Sequence, residues 1–284
     1  MFESRRLIQR ATRMSQILPY LLCSALYAGV AVLLVRSLAV PHRDSPLGPR
    51  ALHLASVVPL ALHTLLLSGS VFSGDQMYLG VGNSVSVIIW LTVLIYWAGG
   101  IFYRLEGLQV IISAAAAALV WAPLALPSVR PLTHTNLPAF RLHLLISLLA
   151  YSLFTIASLQ ALMMAALEKR LHGGRLPAFL QSLPPLLTME MLLFRIIVVG
   201  FLLLSLTLFS GMLFSEELFG QPLKFTHKVV FGILSWCIFA ALLAGRHVYG
   251  WRGRRALHYT LAGFVALILA YIGSKFVLEI VLHR

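Results

Sequence analysis

The sequence predicts an all-α fold, a polytopic integral membrane bundle of about eight transmembrane helices, and three observations predict it. Of 284 residues, 60% are hydrophobic and only 11% are charged, with a mean hydropathy of +0.90. Such a chain has too little polar surface to coat a soluble globule of its size. Crossing a hydrocarbon core of about 30 Å takes roughly 20 apolar residues per helix, so the apolar complement supplies roughly seven to nine spans and leaves nothing for a separate soluble domain. Lastly, the apolar runs are broken by Gly, Pro or charge at intervals of one membrane crossing.

Taken in order, the spans fall near 17–39, 50–72, 81–102, 108–126, 139–167, 191–213, 228–246 and 257–282. The first is too long for a signal peptide and has no small-residue cleavage site. His63 sits near the middle of the second. Ala114 to Ala118 give the fourth a small-residue face on which a neighbouring helix can pack closely. His143 opens the fifth and His283 closes the eighth. Cys23 and Cys237 fall inside apolar runs and form no CxxC pair, which reads as small buried hydrophobes rather than redox or zinc chemistry. The organisation is therefore a basic tail, 1–13, and a single transmembrane domain, 14–284.

Lys and Arg in short loops set orientation. The loops after spans one, three, five and seven carry Arg43, Arg50, Arg104, Lys169, Arg170, Arg175, Arg246, Arg252, Arg254 and Arg255, whereas the others carry Arg130, Arg141, Lys224 and Lys228. The odd loops are thus expected in the cytoplasm and both termini outside. Arg5, Arg6, Arg10 and Arg13 oppose this, and the expectation is that residues 1–13 either precede the true start at Met14 or form a short translocated tail. The basic excess, 22 Lys+Arg against 9 Asp+Glu, is accounted for by topology and anionic lipid, not by nucleic acid.

Ionisable groups at bilayer depth are costly and mark function. No carboxylate lies at mid-depth, which disfavours an ion-coupled transporter. Arg36, Arg195 and Lys275 lie close enough to span ends to snorkel; for Arg195 the alternatives are an anionic ligand or a pair with Glu190. Histidine is plentiful, with ten residues. Neutral imidazole can enter an apolar site and ligate haem iron. His134, His143, His227 and His283 gather at the expected outer face, the last three at the ends of different spans, as two axial ligands would require. His63 reads equally as a helix-packing histidine.

The stretch from Ser210 to Trp236, SGMLFSEELFGQPLKFTHKVVFGILSW, resembles the tryptophan-rich segment of the cytochrome c assembly family (CcsA, ResC and CcmC-like proteins). Ser210, Gly211, Glu217, Gly220, Lys228 and Trp236 fall on the family's letters. PPLLTMEMLLFRIIVVGFLLLSLTL is similar to the preceding span, HLLISLLAYSLFTIASLQAL to the span that begins with His, and GWRGRRA to a cytoplasmic loop. The resemblance covers roughly 50–284 and is strongest to the YpjD-like subgroup, which lacks the tryptophan signature. Phe219, Leu223 and Phe225 replace tryptophans, and Thr226 replaces an aspartate. Phe keeps a flat apolar face but loses the indole donor.

What the resemblance implies is haem, b-type and non-covalent, handled at the outer membrane face. His143 matches an outer family histidine and His283 falls one residue beyond the second, so these two are the expected iron ligands, with His227 as the next choice. Phe219 and Phe225 would cover the haem. The family's inner histidine corresponds to Ala244, with His247 three residues later. The expected function is accessory, in cytochrome c biogenesis or haem delivery in a bacterial cytoplasmic (inner) membrane, and not stand-alone catalysis. Expected partners are haem, other assembly proteins or an apocytochrome, and membrane lipid. The alternative is a HemX-like scaffold or regulator sharing the fold without haem.

Overall fold

The computed structural model describes residues 2–39, 49–73, 76–101, 106–126, 132, 135, 137–172, 184–213 and 227–273. Its helices are α1 (Phe2–Ala39), α2 (Pro49–Ala55), α3 (Val57–Val71), α4 (Val81–Gly100), α5 (Glu106–Leu119), α6 (Ala122–Ala125), α7 (Pro138–His172), α8 (Leu186–Leu213), α9 (His227–Tyr249) and α10 (Arg254–Ile268), the last continuing as a π-helical turn over Leu269–Gly273. Seven described segments are long and apolar enough to cross a membrane: Ile17–Leu38, Arg50–Val71, Val81–Gly100, Gly107–Ala125, Pro138–Arg170, Leu186–Leu213 and His227–Tyr249. The eighth expected span begins with α10. The protein is an all-α membrane bundle, as its composition requires.

Two spans are broken, each near a proline. In the second, Pro59 has no N–H to give to the carbonyl one turn earlier, and the helix is interrupted at Ser56, whose Oγ donates to the His53 carbonyl at 2.6 Å. In the fourth, α5 stops at Leu119 and Pro123 lies in the first turn of α6, where a missing N–H costs nothing. A short hairpin that the apolar pattern does not announce, β1 (Phe72–Ser73) against β2 (Gln76–Met77), joins α3 to α4. Buried Asn83 fastens it by donating to the carbonyls of Ser70 and Tyr78 at 2.8 and 2.7 Å.

The packing divides into two neighbourhoods. On one side α1 lies along α5 and α3, held by Ser24 Oγ donating to the Ala117 carbonyl at 2.7 Å, inside the alanine run expected to be a packing face. On the other, α7 packs along α8 and against α10. Here Phe154 and Phe239 stack with ring centroids 4.0 Å apart. Glycine makes room for both rings: a Cβ at Gly263 would sit 2.7 Å from Phe239 Cζ, and one at Gly200 would sit 3.2 Å from Phe154 Cζ. Such close approaches suit a bundle in which lipid tails supply no hydrophobic drive between helices.

At the end of the bundle where α7 and α9 finish, Glu190 gathers the α9–α10 loop. Its carboxylate accepts from Arg246 at 2.8 Å and from the Gly253 amide at 3.3 Å, and Arg252 Nε lies 3.4 Å away. This settles the partner of Glu190: it is Arg246, fifty-six residues on, while Arg195 lies on an exposed face of α8. The Arg246 guanidinium also lies 4.6 Å over the Phe194 ring. Because the Glu190 side chain is only 10% exposed, removing it strands a largely buried guanidinium. Glu190→Ala is expected to destabilise the folded protein by roughly 2–3 kcal/mol, less than the roughly 3–5 of a fully buried pair because Arg246 keeps some solvent. Thermal unfolding in detergent measures this, and an unchanged midpoint would refute it.

Candidate functional site at the His143 end of the bundle

The opposite end is built from the first turns of α4, α7 and α9, the last turn of α8 and the π-helical turn after α10. His143, in the second turn of α7, is half-buried, and its Nδ1 lies 2.8 Å from Ser210 Oγ on α8. Ser210 in turn donates to the Leu206 carbonyl at 2.7 Å. The neighbouring Gly211 keeps the α8 surface low beside the imidazole, since a Cβ there would touch His143 Cε1 at 3.4 Å. Among the described residues, His143 Nε2 has no hydrogen-bond partner.

Lys228, in the first turn of α9, lies within electrostatic reach of His143 and places its Nζ 5.1 Å from the centre of the Tyr271 ring, a cation–π contact. The Tyr271 hydroxyl meets Ser84 Oγ of α4 at 3.2 Å, and its ring lies 5.8 Å from that of Tyr151. Tyr151 itself donates to the Leu267 carbonyl at 3.0 Å. Five helical elements thus converge on an imidazole, an ammonium, two phenols and two serine hydroxyls. The structure can offer one neutral nitrogen ligand and, beside it, a cation suited to an anionic group.

The other expected site residues fall as follows. His227 is exposed at the start of α9, next to Lys228 and at the same end as His143. His247, also exposed, lies twenty residues further along that helix, about 30 Å away at 1.5 Å per residue, so it belongs to the opposite end. His283, Phe219 and Phe225 lie outside the described residues, as does His134. No cluster of three or more His, Cys, Asp or Glu suited to a metal ion occurs among the described residues. A haem iron, whose other ligands are porphyrin nitrogens, needs only one or two.

His63 is fully buried, and both ring nitrogens are engaged: Nδ1 with the Tyr27 hydroxyl at 3.3 Å and Nε2 with Ser86 Oγ at 2.9 Å. It joins α1, α3 and α4 and has no nitrogen left for a ligand. Trp236 likewise acts between helices, donating to Ser205 Oγ at 2.9 Å and stacking on Phe201. The sequence reading gave no role to Tyr271 or Ser84. Their contact spans 187 residues, and the only local signal was a tyrosine inside the last apolar run.

Comparison with known proteins agrees with this architecture. The family model described as cytochrome C assembly protein matches residues 51–282. The inner membrane protein YpjD of Escherichia coli K12 is 34% identical over 237 residues, covering 80% of this chain and 86% of that protein. The cytochrome c biogenesis protein CcsA of Prochlorococcus marinus strain MIT 9303 is 38% identical over a shorter stretch of 95 residues, 34% of this chain and 30% of that protein. The CcsA of Gloeobacter violaceus is 32% identical over 92 residues. A family model that matches most of the chain and a relative 34% identical over 80% of it lead to one conclusion: the protein belongs to the cytochrome c assembly family.

Proposed function

We propose that this protein is a haem-handling, accessory member of the family, resident in a bacterial inner membrane, which holds b-type haem non-covalently at the His143 end for delivery or cytochrome c biogenesis. The observation that carries the reading is His143 itself: half-buried, oriented through Nδ1 by Ser210, with Nε2 left without a described partner. Imidazoles that bind metal through one nitrogen commonly bond the other to a neighbouring acceptor. The residues therefore fit haem on its axial side, and Lys228 fits the carboxylates at a porphyrin's edge. When bound, haem would supply iron and porphyrin, the chemistry that attachment to an apocytochrome requires.

The chain's own part is to bind and orient. His143 and His283 would hold the iron, and Phe219 and Phe225 would offer the porphyrin an apolar surface. Partners in this reading are an apocytochrome or other assembly proteins. The relatives support it by name: one is an inner membrane protein and others are cytochrome c biogenesis proteins.

The absorption spectrum of detergent-purified protein tests the function. A Soret band, present on purification or after haemin addition, is expected; protein that stays colourless with excess haemin would replace this reading with that of a haem-free scaffold. Topology is tested separately. Reporter fusions after Arg255 are expected to behave as cytoplasmic and those near Gln221 as external, because ten positive charges lie on the odd loops. The reverse pattern would move the His143 end to the cytoplasmic side.

A further inference from the structure

We infer that Ser210 is a positioning residue that fixes His143 in the Nδ1–H tautomer and so presents Nε2, with its lone pair free, as the metal-binding nitrogen. A serine hydroxyl has one proton to donate. In Ser210 two carbonyls of α8 are placed to accept that proton, Leu206 at 2.7 Å and Thr207 at 3.2 Å from Oγ. With its proton committed there, the oxygen faces His143 Nδ1, 2.8 Å away, only as an acceptor. The hydrogen bond then requires the proton on Nδ1, and a neutral imidazole protonated at Nδ1 carries its lone pair on Nε2.

Helix geometry enforces the arrangement. Ser210 is four residues beyond Leu206, the spacing at which a serine side chain reaches its own helix's carbonyl. The neighbouring Gly211 has no side chain to push the imidazole off. His143 and Ser210 sit on α7 and α8, which pack along each other for most of their length, so the pair is held by two rigid elements and not by a loop. A metal-ligating histidine whose second nitrogen is fixed in this way is presented in the required orientation before the metal arrives.

The consequence for haem rests on the proposed function, whereas the tautomer does not, and the two can fail separately. Histidine-labelled protein, purified without haem and studied by ¹⁵N NMR at alkaline pH, reports the tautomer directly, with the His143 signals identified by their loss in His143→Gln. Nδ1–H is expected in the native protein and in Ser210→Thr, which keeps the hydroxyl, whereas Ser210→Ala is expected to shift His143 toward Nε2–H. Haemin titration of the same proteins is expected to show roughly 10–100-fold weaker binding for Ser210→Ala, the usual cost of losing a partner behind a metal ligand, and near-native binding for Ser210→Thr. An Nε2–H tautomer in the native protein, or an unchanged tautomer in Ser210→Ala, would overturn the inference even if haem binds well. A fixed Nδ1–H tautomer that Ser210→Ala releases, in protein that takes up no haemin, would leave Ser210 its role and remove the proposed function.

Discussion

Replacing His143 with Ala is expected to weaken haemin binding by more than the roughly 10–100-fold that loss of an outer partner costs, because under the proposed function it removes a ligand and not merely its support. Two axial imidazoles on one iron give a low-spin spectrum, so loss of one should also change the spectrum of whatever haem remains. The same change is expected for His283→Ala, and the double variant should bind no haem. His227→Ala should have a smaller effect, since His227 lies exposed beside Lys228 and is only the next choice of ligand under the proposed function. His63→Gln is the control: it keeps a hydrogen-bonding group between Tyr27 and Ser86 and is expected to leave the spectrum unaltered. Titration of folded protein, monitored by its absorption, measures all of these. An unchanged spectrum in His143→Ala, or loss of haem in His63→Gln, would show that the site lies elsewhere.

The contrast between His143 and His63 shows what the sequence could and could not reveal. Depth was legible, because apolar runs of membrane-crossing length leave little choice about where a residue sits along its helix. Partnership was not. Whether an imidazole in a span is satisfied by neighbours or free to ligate depends on which helices face it, and Tyr27, Ser86 and Ser210 lie 36, 23 and 67 residues away from their histidines. The same limit explains Glu190. A local pair with Arg195 was one of the expected alternatives, yet its partners sit in the last turn of α9 and in the α9–α10 loop, brought there by tertiary packing alone. The breaks near Pro59 and Pro123 lie at residues the sequence displays plainly, but hydropathy averages over a whole span and passes through them. The hairpin after α3 escaped for a different reason: its strands are two residues each, too short for any periodicity, and what stabilises them is Asn83 from the next helix. For the site, family letters carried Ser210 and Lys228, whereas Tyr271 and Ser84 became visible only when α4 met the turn after α10.

The most disruptive single methyl group is expected at Gly82. A Cβ there would fall on the carbonyl oxygens of Ala122 and Leu126, with the Ala122 carbonyl carbon 2.9 Å away, so the first turn of α4 rests directly on the backbone of α6 and the residue that follows it. Backbone atoms have no rotamer by which to withdraw. Neither element can drift easily: Asn83 ties the start of α4 to the hairpin, and α6 closes with Leu126 donating its amide to the Ala122 carbonyl at 2.9 Å. Overpacking a core costs roughly 1–3 kcal/mol where side chains can adjust, and occasionally more; Gly82→Ala is expected at or above the top of that range, with a lower unfolding midpoint and less folded protein in the membrane. Gly263→Ala should cost less, since it meets only the Phe239 ring. Gly29→Ala and Gly69→Ala meet nothing within 4 Å and should be neutral or stabilising by up to about 1 kcal/mol, the helix preference of alanine over glycine. Because Ser84, two residues beyond Gly82, bonds Tyr271, over whose ring Lys228 sits, a displaced α4 should also weaken haemin binding in the Gly82 variant while the Gly29 and Gly69 variants bind normally. Native stability in Gly82→Ala would refute the close α4–α6 contact, and native haemin affinity in a destabilised Gly82→Ala would detach α4 from the site.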